Sequence, residues 1–578
     1  MFFSSFAWIV ISFVLCLGLV SFISYMKVRG HDQGTTSGYY LGGNSLAGVV
    51  ICASLVMTDL SAEQLVGNNG QSVFVGMGVW ASQGTFWTGL VIAGLFILPA
   101  LIKAGVITLP EFFESRFDKA TRVIVAVVIM LSYILCFLPA CLYAGSQIFV
   151  NLIGLDKMLG VSNFTAIVIV IMLLLAVGLA YVLSGGMRAI AWSDTIFGGA
   201  IFGLGIVIVI ACFVFLSNQL GGNGSFLDGL DKFLTTRPEM MNAINEWNSS
   251  EPWWPWLVLC TGLVVNNIYF AGANQSIVQR CLAAKSLAAA QKGMLLAGFV
   301  DFFSPVFLVV PGIVAALAWP TRDFGNGDAV FGIISQAIFP NWFLGIYAAI
   351  LFGAILSTVN GLINSIQTMF AMDVYKQYIK PAADDAQCVK IGKRFAVIVA
   401  IFSALFAPML LYLSGVTNFI QSSLGILNTP IALILLFGIF SKKASAYSVK
   451  VMMVFHIAAY VFLNYIGPLF IPALGAVHFF YWTFILFFAD SAVIMIASKY
   501  RPRPADQEVP QAMHYNVDMT PWKYRKHMTA AILGVTALFY ILFSPLLFGK
   551  ADTTTWQQHL QEEGAASNTT VAVQMVEK

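Results

Sequence analysis

The sequence predicts an all-α polytopic membrane protein, and three observations carry that expectation. Of 578 residues, 59% are hydrophobic and only 10% charged, whereas soluble domains carry about 25% charged residues. Windows of about nineteen residues find roughly fourteen apolar stretches long enough to cross a bilayer. The basic residues between them are shared unevenly, as they are when loops are sorted to one side of a membrane. The net charge of +3 points to no nucleic-acid partner, and the eight cysteines and six histidines are scattered without metal-ligand spacing.

The first span, 6–26, ends at Lys27 and Arg29. It is too long for a signal-peptide core and no basic segment precedes it, so it reads as a helix in its own right. Together with the first inner loop it forms an N-terminal addition, 1–43. Five spans follow within 44–218, near 46–68, 78–102, 122–150, 163–183 and 192–217. An outer loop, 219–253, leads into the aromatic cluster Trp253, Trp254 and Trp256, placed where a membrane interface is expected. Five more spans fill 254–440, near 254–275, 292–318, 341–370, 391–413 and 418–440. Three C-terminal helices within 441–549, near 446–466, 477–497 and 527–548, precede a polar tail, 550–578. With the N-terminus outside, the inner loops receive all of the 30 Lys and Arg, Arg188 and Arg280 among them, except Lys157, Lys232, Arg237, Arg322, Lys550 and Lys578. Both termini are then external, in a plasma or bacterial inner membrane.

The second span is the unusual one. Its middle, ASLVMTDLSAEQ at 53–64, holds Thr58, Asp59, Ser61, Glu63 and Gln64. A carboxylate at bilayer depth costs about 2.5–3.5 kcal/mol or more, so Asp59 and Glu63 are expected to line a watery cavity or hold a cation, and thus to serve coupling. Helix capping or pairing with neighbouring helices is the structural alternative. Five spans later VVNNIYFAGANQ at 264–275 is interrupted in the same way by Asn266, Asn267, Asn274, Gln275 and Gly272. Two interrupted helices at corresponding places in two halves indicate inverted repeats, with a binding site where the unwound segments meet near the membrane midplane. A third feature lies in FGAILSTVN at 352–360, where Ala354, Ser357 and Thr358 fall on one helical face. Hydroxyls beside backbone carbonyls suit a small hard cation, although such pairs also bond back to their own helix. No nucleophile–base pair or metal cluster suggests an enzyme, and no cofactor is expected.

Six further stretches carry a resemblance: GYYLGGNSL from Gly38, LSAEQ from Leu60, ITLPEFFESRF from Ile107, SGGMRAIAWSD ending at Asp194, NQSIVQRCLAAKS from Asn274 and MDVYK from Met372. In this order they resemble the solute:sodium symporter family over about 38–445, most closely its sodium/sugar cotransporter branch. The resemblance implies a leucine-transporter-type fold of five-plus-five inverted repeats and Na⁺-driven uptake. It places sodium on the carbonyls of Met57, Leu60 and Ala354 and the hydroxyls of Ser357 and Thr358. A further sodium in some members uses two more hydroxyls, where this chain has Asn360 and Gly361, so one sodium per cycle is expected. Asp194 matches an aspartate near the sodium exit, with a cytoplasmic helix cap beside Arg188 as the structural alternative.

The solute pocket implied by the resemblance is altered. Gln64, Asn267 and Gln421 match amides that bond sugar hydroxyls in relatives, but Gln83 replaces a glutamate, Phe86 a small polar residue, Asp301 a lysine and Asp59 an asparagine. Phe270 stands for an inner-gate tyrosine, and Asn68, Ser82 and Thr417 for an apolar outer lid. Amides donate and accept at once, which suits hydroxyl groups. Asp301 either accepts hydroxyl donors, pairs with a cationic amine, or serves as a structural acid beside water or an internal base. The expectation is an Na⁺-coupled importer of a small neutral polar solute, a sugar or polyol. The alternatives are a symporter for an amine or amino acid and, more remotely, a sensor or channel. Its partners are then the solute, Na⁺ and the lipid bilayer.

Overall fold

The computed structural model describes residues 2–30, 33–60, 62–244, 255–325, 327–412, 416–504 and 516–548, with the backbone alone for 2–8, 62–63, 83, 341–342, 412 and 416–424. Among these residues every regular element is helical, and the β pairing consists of isolated bridges at Leu46–Ala284 and Ser286–Asp518. In chain order the main helices are α1 (Phe2–Val28), α2 (Gly48–Asp59), α3 (Ala62–Val75) and α4 (Gly78–Ala104). Then come α5 (Lys119–Ile153), α6 (Asn163–Gln219), α7 (Trp256–Gly272) and α8 (Gln275–Leu282). They are followed by α9 (Leu287–Asp301), α10 (Pro305–Ala318), α11 (Asn341–Met369) and α12 (Asp385–Phe406). The chain closes with α13 (Val416–Phe440), α14 (Ala446–Val461), α15 (Phe479–Tyr500) and α16 (Arg525–Leu542).

The predicted spans fall on these helices and bent pairs, with 163–183 and 192–217 sharing α6. Among the described residues nine helices are long and apolar enough to cross a membrane, or twelve if each of three bent pairs is one span. The two interrupted spans are bent, α2–α3 by 56° and α7–α8 by 43°. A third bend of 43° separates α9 from α10, where the sequence predicts one unbroken span. Asp301 ends α9, Ser304 lies in the bend immediately before α10, and Pro305 opens α10; proline removes a backbone donor and favours a helix start. The predicted spans 163–183 and 192–217 run together as α6, but the helix turns at Gly186, whose φ of 53° and ψ of −148° are not helical. A Cβ at that position would overlap the Tyr39 carbonyl, so glycine serves both the turn and the close approach.

Burial separates centre from perimeter. The apolar window within 343–379 is 94% buried, against 11% for 9–28 and 33%, 28% and 22% for the three C-terminal spans. A helix apolar all round belongs inside protein or faces lipid, and the first and last helices take the lipid-facing places. Two prolines shape the intervening helices. Pro99 and Pro139 each follow a π-turn, at Ala93–Ile97 and Tyr133–Phe137, that absorbs the lost backbone bond.

The loops sort to two ends of the bundle. At one end Asn44 Nδ2 donates to the Leu282 carbonyl (2.8 Å), Thr36 Oγ1 to Asp385 (2.9 Å), Arg122 Nε to Asp373 (2.6 Å) and Lys450 Nζ to Asp118 (2.7 Å). At the other, Met77 N bonds the Met240 carbonyl, Ala243 N the Phe543 carbonyl, and Gln336 the Leu152 carbonyl. The first set joins loops that the charge asymmetry assigns inside, the second set loops assigned outside.

Candidate functional site

The first break forms because α2 runs out of helix-supporting sequence at Thr58 and Asp59. Thr58 Oγ1 bonds back to the Ser54 carbonyl (2.7 Å), and Leu60, at φ −70° and ψ 65°, leaves the helix after its N–H takes the Val56 carbonyl. The last carbonyls of an α-helix have no partner in their own helix, so the backbone oxygens from Met57 onward point into the break. Across from them is α11. Ala354, Ser357 and Thr358 are all buried, as are Met57 and Leu60, and Thr358 Oγ1 lies 3.3 Å from the Thr58 carbonyl. Ser357 Oγ is buried in side-chain contact with the Asp194 carboxylate behind it. Carbonyl and hydroxyl oxygens gathered at a helix terminus are the donor set a hard cation takes.

Asp194 lies one layer behind this face. It is not a helix cap beside Arg188: it sits within α6, 1% exposed, accepting from Ser54 Oγ at 2.5 Å with Arg280 Nη2 3.6 Å away. Arg188 instead bonds Ser45 Oγ and the Lys27 carbonyl. Arg280, expected in an inner loop, is fully buried. Its Nε donates to Ser54 Oγ (2.8 Å), Nη1 to the Ser276 carbonyl (2.6 Å) and Nη2 to the Ser357 carbonyl (3.4 Å). A Cβ at Gly361 would come within 2.7 Å of the guanidinium, so a larger residue next to Asn360 would make Arg280 shift. One arginine therefore ties α2, α6, α8 and α11 together behind Ser357 and Thr358.

The polar groups assigned to solute form two clusters served by one turn of α4. Trp87 Nε1 donates to Asp301 Oδ2 (3.1 Å) at the third break, and the Asp301 carboxyl lies beside that of Asp59 at the first. Gln64 Nε2 lies 3.4 Å from Asp59 Oδ1. In the second cluster Asn267 Nδ2 donates to Thr85 Oγ1 (2.6 Å), and Phe270 meets Phe86 edge-on with centroids 5.5 Å apart. Gly89 lets α4 approach here, since a Cβ would lie 2.8 Å from the Asn267 carbonyl. Tyr133, in the π-turn of α5, donates to Asn274 Oδ1 (2.5 Å) and pins the second break. Among the described ion pairs Asp301 has no basic partner. Ser82 Oγ bonds its own helix at the Val79 carbonyl, and Asn68 is half-buried on α3. The side chains of Glu63, Gln83, Thr417 and Gln421 lie outside the described residues.

Comparison with known proteins identifies the lineage. The model of the sodium:solute symporter family matches residues 39–453. The chain belongs to that family. An uncharacterized symporter, YidK, of Escherichia coli (strain K12) is 34% identical over 91% of this chain and 89% of its own length. A sodium/glucose cotransporter of Vibrio parahaemolyticus is 32% identical over 76% of this chain and 81% of its own. Among solved structures, a Na⁺-coupled sialic acid symporter in a substrate-bound outward-open state superposes with a TM-score of 0.72, at 21% identity, over 87% of this chain and 99% of that one. The fold is thus that of the leucine-transporter-type symporters, and the symporter is an integral membrane secondary transporter rather than an enzyme.

Sequence reasoning missed Ser54, Thr85, Trp87 and the buried role of Arg280. Thr85 and Trp87 sit in an apolar run with no local signal. Arg280 follows a helix break closely, where a basic residue reads as a loop residue. The pairing of Asp301 with Pro305 four residues on was the one available sign of the third bend.

Proposed function

We propose that this symporter imports a small neutral polar solute, a sugar or polyol, with one Na⁺ per cycle. The observation that carries the reading is the approach of buried polar groups across the first and third breaks: Thr358 against the Thr58 carbonyl, and Asp59 beside Gln64 and Asp301, with Asn267 paired to Thr85 on the same stretch of α4 that carries Trp87. Sodium at Met57, Leu60, Ala354, Ser357 and Thr358 would hold the first break against α11 and so fix Asp59 and Gln64 for the solute. Glu63 would share in that coupling, and Gln83 and Gln421 would complete the solute pocket. Phe270 would cover the solute on one side, and Asn68, Ser82 and Thr417 on the other. Asp194, through Arg280 and Ser54, would steady the sodium face and mark the route by which the ion leaves. One Na⁺ crossing 100 mV supplies about 2.3 kcal/mol, roughly a 50-fold solute gradient, enough for nutrient uptake across an inner membrane with both termini outside.

A second reading has its own observation. Asp59 and Asp301 are two carboxyls in contact, with no basic partner for Asp301 among the described ion pairs. Like charges so placed favour a cation between them, which an ammonium group on the solute would supply. Uptake into proteoliposomes under an inward Na⁺ gradient tests both. A neutral sugar or polyol accumulated with Na⁺ and not with choline supports the first reading. Accumulation of amines alone moves the assignment to the second, and uptake that persists in choline defeats both.

A further inference from the structure

Away from the solute path, a crevice of about 410 Å³ opens between α1 and the first half of α6. That volume falls within the range of about 300–1,000 Å³ typical of ligand sites. On α6 the lining residues Ala176, Ala180 and Ser184 recur every fourth position, so one helical face is cut back. On α1 the wall is Ser21, Ser24 and Tyr25. Ser21 Oγ pairs with Tyr181 OH at 2.6 Å. Ser24 also lines the crevice, is 2% exposed, and its Oγ has no hydrogen-bond partner among the described residues. A hydroxyl held this way in a groove at membrane depth calls for a donor or acceptor from outside the chain.

The mouth is basic. Val28 and Ala189 close the two walls, and their chain neighbours are Lys27, Arg29 and Arg188. Arg188 Nε bonds the Lys27 carbonyl at 3.2 Å, so the two walls are joined at this end. Lys27 Nζ lies 4.8 Å above the Trp192 ring, and Lys27 and Arg29 are exposed with no acidic partner among the described ion pairs. Basic pockets between transmembrane helices attract anionic lipid headgroups. From Ser21 to Val28 the wall is about 10 Å long, the distance from a phosphate to the glycerol esters and the first methylenes of the chains.

We propose that this crevice holds an anionic phospholipid, its phosphate at Lys27, Arg29 and Arg188 and its glycerol-ester oxygens at Ser24 and Ser184. The lipid braces α1, which has little buried surface of its own, against the turn of α6 at Gly186. Purified full-length protein, delipidated in detergent, is titrated with phosphatidylglycerol or phosphatidylcholine and followed by native mass spectrometry and thermal melting. Phosphatidylglycerol should stay bound and raise the melting temperature, with phosphatidylcholine at least 10-fold weaker. The Lys27→Gln/Arg29→Gln variant should lose at least 10-fold in phosphatidylglycerol affinity, and Ala180→Phe, which fills the crevice from a lipid-exposed position, should abolish it. Should Ala180→Phe fail to fold, the exposed charge variant still decides the matter. Equal binding of the two lipids, unchanged affinity in the charge variant, or equal stabilisation by inorganic phosphate alone would overturn the proposal.

Discussion

Consider Asp194→Asn, which keeps the shape of the side chain and removes its charge. Asp194 and Arg280 are 1% and 0% exposed along their side chains, with Oδ2 and Nη2 3.6 Å apart, and both bond Ser54 Oγ, at 2.5 and 2.8 Å. Removing one partner of a buried ion pair costs about 3–5 kcal/mol, because the other charge is left uncompensated. Asparagine still accepts from Ser54, and Arg280 keeps the Ser276 carbonyl and hydroxyl at 2.6 and 3.1 Å. The loss should therefore fall near the lower end, about 3 kcal/mol. Arg280→Met should lose at least as much, since Asp194 would keep its charge with Ser54 as its hydrogen-bond donor. If the pair acts as a unit, the double variant should lose less than the sum by about 2 kcal/mol. Reversible unfolding of the four proteins in mixed micelles measures this. The same proteins report function: because Arg280 Nη2 lies 3.4 Å from the Ser357 carbonyl, either single variant should raise the Na⁺ concentration needed for half-maximal uptake. Additive losses, or less than about 1 kcal/mol for Asp194→Asn, would refute the network account.

Asp301→Asn separates the two solute readings in transport assays: a neutral solute should lose about 10-fold in affinity, one altered hydrogen bond's worth, whereas a cationic solute should lose uptake altogether. Gly186→Ala should lower the melting temperature and yield, because a left-handed, non-helical backbone costs a side-chain-bearing residue about 1–3 kcal/mol and the new Cβ overlaps the Tyr39 carbonyl; a variant that melts with the wild type contradicts this. Acid should weaken the loop end of the bundle at Asp118. Burial raises that carboxyl, but hydrogen bonds from Lys450 and Thr121 outweigh it and hold it below the ordinary carboxylate range. A depressed folded value means the contribution is complete above the unfolded value of about 3.9 and is lost as pH falls through the lower folded one. The melting temperature of Asp118→Asn should accordingly converge on that of the wild type at the most acid pH and fall below it near neutrality.

Much of this was legible in the chain, for reasons that differ by element. Apolar runs of bilayer length and the placement of Lys and Arg are one-dimensional signals, so the spans and the sorting of loops to two ends could be read directly. The breaks at Leu60 and Asn274 announce themselves by polar residues inside apolar runs. The bend after Asp301 was hidden because one carboxylate and one proline sit in an otherwise continuous span. Arg280 misled because a buried cation is recognised by its partner, and Asp194 stands 86 positions earlier in the chain. The contact of Asp59 with Asp301, and of Asn267 with Thr85, likewise joins residues that share no local pattern. Position along a span can be read from sequence, but depth and partner come from packing.

Sodium-dependent thermal stabilisation by solutes tests the central claim most directly. Purified protein is melted with a panel of sugars, polyols, amines and acids in Na⁺ or in choline, alongside Ser357→Ala and Thr358→Ala. Each hydroxyl contributes about 1.5–3 kcal/mol to a charged ligand, or roughly 10- to 100-fold in affinity. The account predicts that a neutral sugar or polyol raises the melting temperature in Na⁺ and not in choline, and that either variant needs at least 10-fold more Na⁺ for the same effect. Stabilisation by solute that is indifferent to Na⁺, or variants that match the wild type at every Na⁺ concentration, would contradict it.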